Sequence, residues 1–123
     1  MSKKQLGKSG EEHSIQSLIK QGYEIIQQNF HSPYGEIDII ARDRHHLVFI
    51  EVKTRTKESV DHAKYSITYS KQKKITKTAM YFLQNYSNPE ILEYRFDVII
   101  LKNNDMNHFI NAFPPAEVGD FFA

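Results

Sequence analysis

The chain has 123 residues, of which 40% are hydrophobic and 25% are charged, and its net charge is +1. This composition is that of one globular domain whose core needs no disulfide or metal staple, and the absence of cysteine excludes disulfides, thiolate metal sites and cysteine nucleophiles. No apolar run approaches the roughly 20 residues of a membrane-spanning helix. No apolar segment of a secretory signal follows the polar start, so we expect a cytoplasmic protein that does not enter a membrane.

The first predicted element is a helix from Ser9 or Gly10 to about Lys20. Small or polar residues favour a helix start at that point, and Gly22 is a typical stop. Apolar residues recur at helical spacing in this segment and predict its buried side: Ile15, Leu18 and Ile19.

Segments rich in β-branched and aromatic residues, bounded by turn residues, predict the strands. The second and third strands are joined by a turn at 43–46 and should form an antiparallel hairpin. Residues 55–69 lack a clean period and are interpreted as a mobile loop or the start of a helix. In order, the elements after the first helix are strands at 23–30, 36–42 and 47–54, a helix at about 70–86, and strands at 94–101 and 108–113.

This order predicts an α/β fold in which helices pack against a mixed sheet. No repeat or linker-like change of composition divides the chain, so residues 1–115 are predicted to be a single domain. A Pro-Pro pair ends the patterned part, and residues 116–123 are interpreted as a C-terminal tail.

Acidic and basic side chains alternate with aliphatic ones in the predicted hairpin. Because side chains alternate across a strand, Glu36 and Asp38 should share one side of the second strand, and Glu51 and Lys53 one side of the third. Pairing of the two strands can then bring Asp38, Glu51 and Lys53 into one space. The opposite side of the second strand is predicted to hold Ile37, Ile39 and Ala41.

A fourth candidate, Glu11, lies on the first helix near the direction of Ile15 and Leu18. A carboxylate on the buried side of a helix is costly unless it is paired or binds a cation. The alternative is an acid in the first turn that complements the helix dipole. Its neighbour Glu12 is turned farther away and is interpreted as such an acid.

These residue types suit a hard divalent cation, since close carboxylates repel each other and relax when a cation lies between them. Such an ion can activate water and polarise a phosphoryl group. Lys53 can orient the attacking water or stabilise the crowded negative charge. A Glu-x-Lys tripeptide alone is common on exposed strands, but here Phe49, Ile50 and Val52 flank it, as in a core strand.

The middle of the chain is strongly basic, with eight basic residues against two acidic ones between residues 53 and 77. The resulting net charge of +6 predicts a surface for a polyanion such as nucleic acid. The alternative is a solvated helix face beside a lysine-rich loop. The predicted phosphate-contacting residues are Arg55, Lys57, Lys64, Lys71, Lys73, Lys74 and Lys77.

Three further expectations concern polar residues outside these groups. Glu36 is expected to be a structural acid paired with Arg55 or Lys53. The six histidines show no ligand spacing, and the adjacent histidines at 45–46 are expected to be solvated in a turn. Arg95 and Asp97 share one side of a strand and are interpreted as a buried pair.

In combination, the motifs resemble those of the YraN-type family of small bacterial proteins. The resemblance extends from about residue 7 to residue 113. It rests on Gly7-x-x-Gly10-Glu11, Gly22-Tyr23, Gly35-Glu36-Ile37-Asp38-Ile39-Ile40-Ala41, Val48-Phe49-Ile50-Glu51-Val52-Lys53-Thr54-Arg55, Lys71-Gln72, Arg95-Phe96-Asp97-Val98 and Asn111-Ala112-Phe113.

That resemblance implies a restriction-endonuclease-like core of the PD-(D/E)xK type, ordered α-β-β-β-α-β and related to Holliday-junction resolvases. It implies that Glu11, Asp38 and Glu51 bind the metal, that Lys53 is the catalytic lysine, and that Gln72 is a polar residue near the site. The residue before the aspartate is isoleucine, where the name of the fold has proline.

The sequence therefore predicts an endonuclease that depends on Mg²⁺ or Mn²⁺ and acts on DNA, including branched or structured DNA. RNA as the ligand and a homodimer stay open. Two alternatives are a non-catalytic nucleic-acid-binding module and a subunit that needs a partner protein, since fold does not determine function. Asp38→Asn separates the endonuclease from the non-catalytic binding module, because it should abolish cleavage by an endonuclease and leave the nucleic-acid affinity of a binding module largely unchanged.

Overall fold

The computed structural model describes residues 3–119, with side chains described for residues 9–64 and 66–119. Five strands form one sheet in the order β1-β2-β3-β4-β5, in which β3 and β4 are parallel and the other neighbours are antiparallel. The predicted mixed α/β fold is thus confirmed. The elements are α1 (Lys3–Lys20), β1 (Glu24–Ser32), β2 (Gly35–Asp43), β3 (His46–Arg55), α2 (Val60–Tyr65), α3 (Tyr69–Leu83), β4 (Glu93–Lys102) and β5 (Asp105–Phe113).

Helix α1 begins at Lys3, six residues before the predicted start. Lysine, glutamine and leucine in its first turns are good helix formers, so the glycines there lie within the helix rather than at its start. Gly10 lies where α1 meets the sheet. A Cβ at this position would lie 2.9 Å from the Cδ1 atom of Leu101 and would also overlap the Thr54 hydroxyl. Gly10 therefore lets α1 approach the sheet closely.

The end of α1 follows the prediction. Gly22 has a φ of +94°, and the N–H groups of Gly22 and Tyr23 donate to the carbonyls of Ile19 and Leu18. These two bonds form a Schellman motif, which satisfies carbonyls left open at the helix end. The predicted burial of Ile19 was wrong, since this side chain is 50% exposed. Leu18 already occupies the side of the helix that meets the sheet.

The β2–β3 hairpin is confirmed, and its pairing leaves two loop residues, Arg44 and His45, between Asp43 and His46. The segment between β3 and α3 is more ordered than predicted, since it contains α2. The Ser59 hydroxyl caps α2 by accepting from the His62 N–H. Helices α2 and α3 form the crossover that allows β4 to run parallel to β3.

Helix α1 packs on one side of the sheet, and α2 and α3 pack on the other. We call the two cores the α1 layer and the α3 layer. The α1 layer contains Ile15, Leu18, Tyr23, Ile39, Ala41, Val48, Ile50, Ile99 and Leu101. The α3 layer contains Ile37, Ile40, Leu47, Phe49, Ala63, Ile67, Ile75, Ala79, Phe82, Phe96, Val98, Ile100 and Phe113.

Asp97 is completely buried on β4 and confirms the predicted pair with Arg95. Its carboxylate also accepts from the Asn111 N–H and contacts the His108 ring at 2.8 Å. Although burial alone would raise the pKa of Asp97, the hydrogen bonds from His108 and Arg95 hold it below its usual value. Arg95 extends this network to Asp43 at the β2–β3 turn.

Beyond β5, the chain stays attached to α3. Ala116 is buried, and its N–H donates to the Thr76 hydroxyl at 3.0 Å. Residues 120–123 of the predicted tail lie outside the described part of the chain. Within the described residues, no helix is long and apolar enough to cross a membrane.

Candidate active site

The β2–β3 ladder opens at Asp38. Strand pairing runs from Asp43–His46 to Ile39–Ile50, and one further step would place Asp38 opposite Glu51. Instead, the Asp38 Oδ2 atom accepts the Val52 N–H at 2.7 Å. A side-chain carboxylate thus takes the place of a backbone carbonyl, and the two strands diverge beside it.

Strand β2 changes sides at the same residue. Ile37 packs in the α3 layer, whereas Ile39 and Ala41 pack in the α1 layer, so the prediction that these three residues share one side was wrong. The β1–β2 register skips the pair between Asn29 and Asp38, and Asn29 has a left-handed φ of +50°. This irregularity breaks the alternation and directs Asp38 along the sheet toward β3.

Glu51 and Lys53 follow the regular alternation of β3. Leu47 and Phe49 belong to the α3 layer, so Glu51 and Lys53 extend to that side of the sheet. Lys53 is buried, with 8% of its surface exposed, and Glu51 is partly buried. The fold therefore brings Asp38, from the opening in the ladder, close to two charged side chains that lie under α3.

The two carboxyl groups resist ionisation. Burial raises the pKa of Asp38 to about 6, and the charges of Glu11 and Glu36 add to this rise, while the Val52 N–H and Lys53 oppose it. Burial likewise raises the pKa of Glu51 to about 7, reinforced by the charge of Asp38. Placing two anions in a poorly solvated space is unfavourable, and a cation between them would relieve that cost.

Two lysines face these acids. Burial, followed by repulsion from Lys71 and Arg55, lowers the pKa of Lys53 below its ordinary value. Lys71, near the start of α3, stabilises the Glu51 carboxylate and contacts Lys53. Sequence reasoning placed Lys71 only among the phosphate contacts. Its membership of this group depends on the α3 start lying over the end of β3.

Glu11 reaches the group from the opposite side of the sheet. Burial raises its pKa, a hydrogen bond with Asn29 lowers it, and the nearby Glu36 charge raises it. Its neighbour Glu12 is exposed, as predicted. The charge of Glu11 acts on Asp38, so α1 contributes its acid to the open ladder. The sequence analysis did not identify Asn29 as a residue of this group. The only feature that could have indicated it is the tolerance of asparagine for a left-handed backbone conformation.

Glu36 does not have its predicted partner. Its carboxylate pairs with His31 Nδ1 at 3.2 Å rather than with Arg55 or Lys53. The side chain is exposed, yet its charge acts on Glu11, Asp38 and Glu51 alike. Glu36 therefore adds negative potential at the mouth of the group.

Gln72 lies in the first turn of α3, and its Nε2 atom donates to the Ile67 carbonyl at 3.2 Å. This bond fastens the connection between α2 and α3. A role for Gln72 beside the acids stays a prediction.

The predicted phosphate contacts do not form one uniform stripe. Arg55 pairs with Glu58, and Lys64 lies over the Phe109 ring at 4.6 Å, on the side of β5. Lys71 belongs to the acidic group described above. Of the remaining predicted contacts, Lys57 and Lys74 are exposed and Lys77 is half-buried. The ammonium group of Lys73 lies 5.8 Å from the centre of the Tyr69 ring.

The donor set fits a hard divalent cation. Asp38 and Glu51 offer carboxylate oxygens with raised pKa values. Glu11 offers a third from α1, but the ligand atoms of these three residues do not all lie within 4.8 Å of one another. Oxygen donors of this kind are those that Mg²⁺ and Mn²⁺ prefer, together with water and phosphate oxygens. Asp38 keeps one oxygen on the Val52 N–H, which leaves its other oxygen for an ion.

A model of the family described as "Uncharacterised protein family UPF0102" matches residues 10–101. Over 115 residues the chain is 41% identical to a UPF0102 protein of Thermodesulfovibrio yellowstonii, covering 92% of this chain and 99% of that protein. It is 42% identical over 113 residues to a UPF0102 protein of Sulfurihydrogenibium sp., covering 92% and 97%. For a UPF0102 protein of Francisella tularensis subsp. tularensis, the identity is 43% over 112 residues, covering 89% and 94%.

Proposed function

Because the chain belongs to the uncharacterised protein family UPF0102, we propose its function from the site itself. The protein is a divalent-metal-dependent endonuclease that hydrolyses phosphodiester bonds in DNA, including branched or structured DNA. The observation that carries this proposal is the convergence of Asp38 and Glu51, both with raised pKa values, beside the buried Lys53. A structural role alone would favour neutral residues at such a place.

Asp38 and Glu51 would hold Mg²⁺ or Mn²⁺, with Glu11 as the third donor once the ion draws the carboxylates together. When bound, such an ion supplies a Lewis acid for the phosphoryl oxygens and lowers the pKa of a coordinated water. Lys53 shares the α3 side of the sheet with Glu51, so its ammonium group can orient the attacking water. The lowered pKa of Lys53 also suits a group that exchanges a proton during the reaction.

The surroundings supply the route for the nucleic acid. Lys71 extends the positive charge from Lys53 to the start of α3, and Lys74 lies next to Gly35 at the beginning of β2. Helix α3 and the β1–β2 turn pack directly on each other, through Ser32 and Thr78. A phosphate backbone lying across the outer surface of this junction would meet both lysines on its way to Asp38. This placement favours contact with the backbone rather than reading of bases.

The topology supports the same proposal. A helix, three antiparallel strands, a crossover that contains α3, and a parallel strand follow each other, with α2 and β5 added. That is the α-β-β-β-α-β order of a restriction-endonuclease-like core, and we propose that relationship for this protein. The acids lie where β2 and β3 diverge, so the site occupies a defined place in the fold.

The test is cleavage of linear, nicked and four-way-junction DNA by purified protein with Mg²⁺ or Mn²⁺. We expect metal-dependent nicking that Asp38→Asn and Glu51→Gln abolish, with DNA affinity nearly unchanged. Glu12→Gln removes an exposed acid one residue beyond Glu11 and should keep full activity. Intact wild-type protein that cleaves none of these substrates would overturn the proposal. Retained binding in that case would favour a non-catalytic DNA-binding module.

A further inference from the structure

A second group of metal-ligating side chains lies at the other end of β3. We propose that His45, His46 and Glu93 form a site for a borderline transition-metal ion of the Zn²⁺, Ni²⁺ or Cu²⁺ class. Each of these side chains offers one ligand atom, and the three atoms lie within 4.8 Å of one another. Among the described residues, this is the one group of three His or acidic ligands that meets such a distance limit.

The backbone holds the three ligands together before any ion binds. The His45 carbonyl accepts the N–H groups of Leu92 and Glu93 at 2.9 and 3.3 Å, which fastens the β2–β3 turn to the start of β4. His46 pairs with Glu93 across the parallel β3–β4 ladder. Because the ligands lie on backbone that is already ordered, little further entropy is lost when they close on an ion.

The side chains need only a small adjustment. The His46 Nε2 atom lies 2.8 Å from the Glu93 carboxylate, and the His45 and His46 rings have centroids 4.4 Å apart. In a tetrahedral site with bonds of about 2.0–2.1 Å, ligand atoms lie roughly 3.3 Å from one another. His45 is exposed and is free to rotate its ring toward the other two ligands.

The donor chemistry separates this site from the acids around Asp38. Two imidazoles and one carboxylate favour Zn²⁺, Ni²⁺ or Cu²⁺, whereas an all-oxygen set favours Mg²⁺ or Mn²⁺. The ion would replace the direct contact between His46 and Glu93. His46 begins β3 and Glu51 lies five residues later, a separation of roughly 16 Å along a strand.

A bound ion would connect two elements that already meet. Arg95 bonds to Asp43 at the start of the same turn, so the metal would reinforce the junction from its solvent side. Three protein ligands leave a fourth tetrahedral position for water or for an external donor. A cleft of about 640 Å³, lined in part by His46 and Glu93, adjoins the site and gives such a donor access to it.

The experiment titrates Zn²⁺ into metal-free protein by calorimetry, in a background of Asp38→Asn with Glu51→Gln that removes the other candidate site. We expect one binding event. His46→Ala or Glu93→Gln should weaken it by about tenfold or more, since loss of even an outer-shell partner costs about 10–100-fold.

His62→Ala is the matched control, because His62 also pairs with a glutamate, at 3.4 Å, but has no second histidine beside it in the sequence. It should leave the Zn²⁺ affinity unchanged. When Cu²⁺ is bound to the protein that carries Asp38→Asn and Glu51→Gln, its electron paramagnetic resonance spectrum should show coupling to two nitrogen ligands. A spectrum without nitrogen coupling, an unchanged affinity in His46→Ala, or an equal loss in His62→Ala would each overturn the proposal.

Discussion

Removing the negative charge of Glu51 should stabilise the metal-free protein at neutral and alkaline pH. The pKa of this carboxyl group is raised from 4.5 to about 7 by burial and by Asp38. Above that value, the folded state must hold an anion that the unfolded state holds at lower cost. Glu51→Gln keeps the shape of the side chain and removes this penalty.

The rise in the pKa of Glu51 determines how much stability the variant gains. At about 1.36 kcal/mol for each pKa unit, it corresponds to about 3 kcal/mol above about pH 7. Lys53 loses a favourable partner in the variant, which offsets part of the gain. We therefore expect Glu51→Gln to raise the free energy of unfolding by about 1–3 kcal/mol near pH 8.

The pH dependence of this contribution to the free energy of unfolding is opposite to that of an acid whose pKa is lowered by folding. A carboxyl group whose pKa is raised by folding binds more protons in the folded state between the two pKa values. The wild-type protein therefore loses stability as the pH rises from about 4.5 to about 7. Near the lower value the carboxyl group is protonated in the folded state and only partly ionised in the unfolded state, so most of the advantage of the variant should disappear.

Urea denaturation with a chelator, at about pH 5 and about pH 8, measures the effect. Magnesium added at the higher pH should stabilise the wild type more than the variant, because a ligand stabilises the state that binds it. Glu12→Gln is the control and should show no pH-dependent gain. A variant less stable than wild type near pH 8, or a gain equal at both pH values, would refute the reasoning.

Three further substitutions test other parts of the structure. Gly10→Ala should lower the free energy of unfolding by about 1–3 kcal/mol, because its Cβ would overlap the Thr54 hydroxyl, and thermal or urea unfolding measures this. Asp97→Asn should cost about 1–3 kcal/mol by the same measurement, since it leaves the half-buried Arg95 with only the Asp43 carboxylate, at 3.4 Å, as an anionic partner. Lys73→Gln with Lys74→Gln should weaken DNA binding across sequences and reduce the salt slope by about 2, as measured by fluorescence anisotropy.

Each of these substitutions has a matched control. Ser9→Ala removes an exposed side chain next to Gly10, and Asp105→Asn changes an exposed acid in place of the buried one. Both should leave unfolding within about 0.5 kcal/mol of wild type. For the lysine pair, Lys20→Gln removes a charge at the far end of α1 and should keep the affinity. If Gly10→Ala and Ser9→Ala have equal effects, the close packing of α1 on the sheet is contradicted. Equal effects of Asp97→Asn and Asp105→Asn would contradict the buried network. Equal effects of the lysine pair and Lys20→Gln would contradict the DNA-binding surface.

Much of the fold follows from local patterns in the sequence. Alternation in β3 places Glu51 and Lys53 on one side, and Gly22 ends α1, because both effects depend on residues within a few positions of each other. The hairpin between β2 and β3 follows from two periodic segments around a polar turn. Such features depend on short-range sterics and on the period of burial, which a single sequence displays.

The tertiary structure alone decided how the groups meet. Asp38 faces β3 only because the ladder opens there and β2 changes sides opposite Asn29. The alternation of residues within one strand cannot reveal where β2 changes sides, because that change depends on how β2 pairs with its neighbouring strands. Glu93 likewise joins the adjacent histidines of the turn through the parallel pairing of β3 and β4, a contact between residues nearly 50 positions apart that no local period expresses.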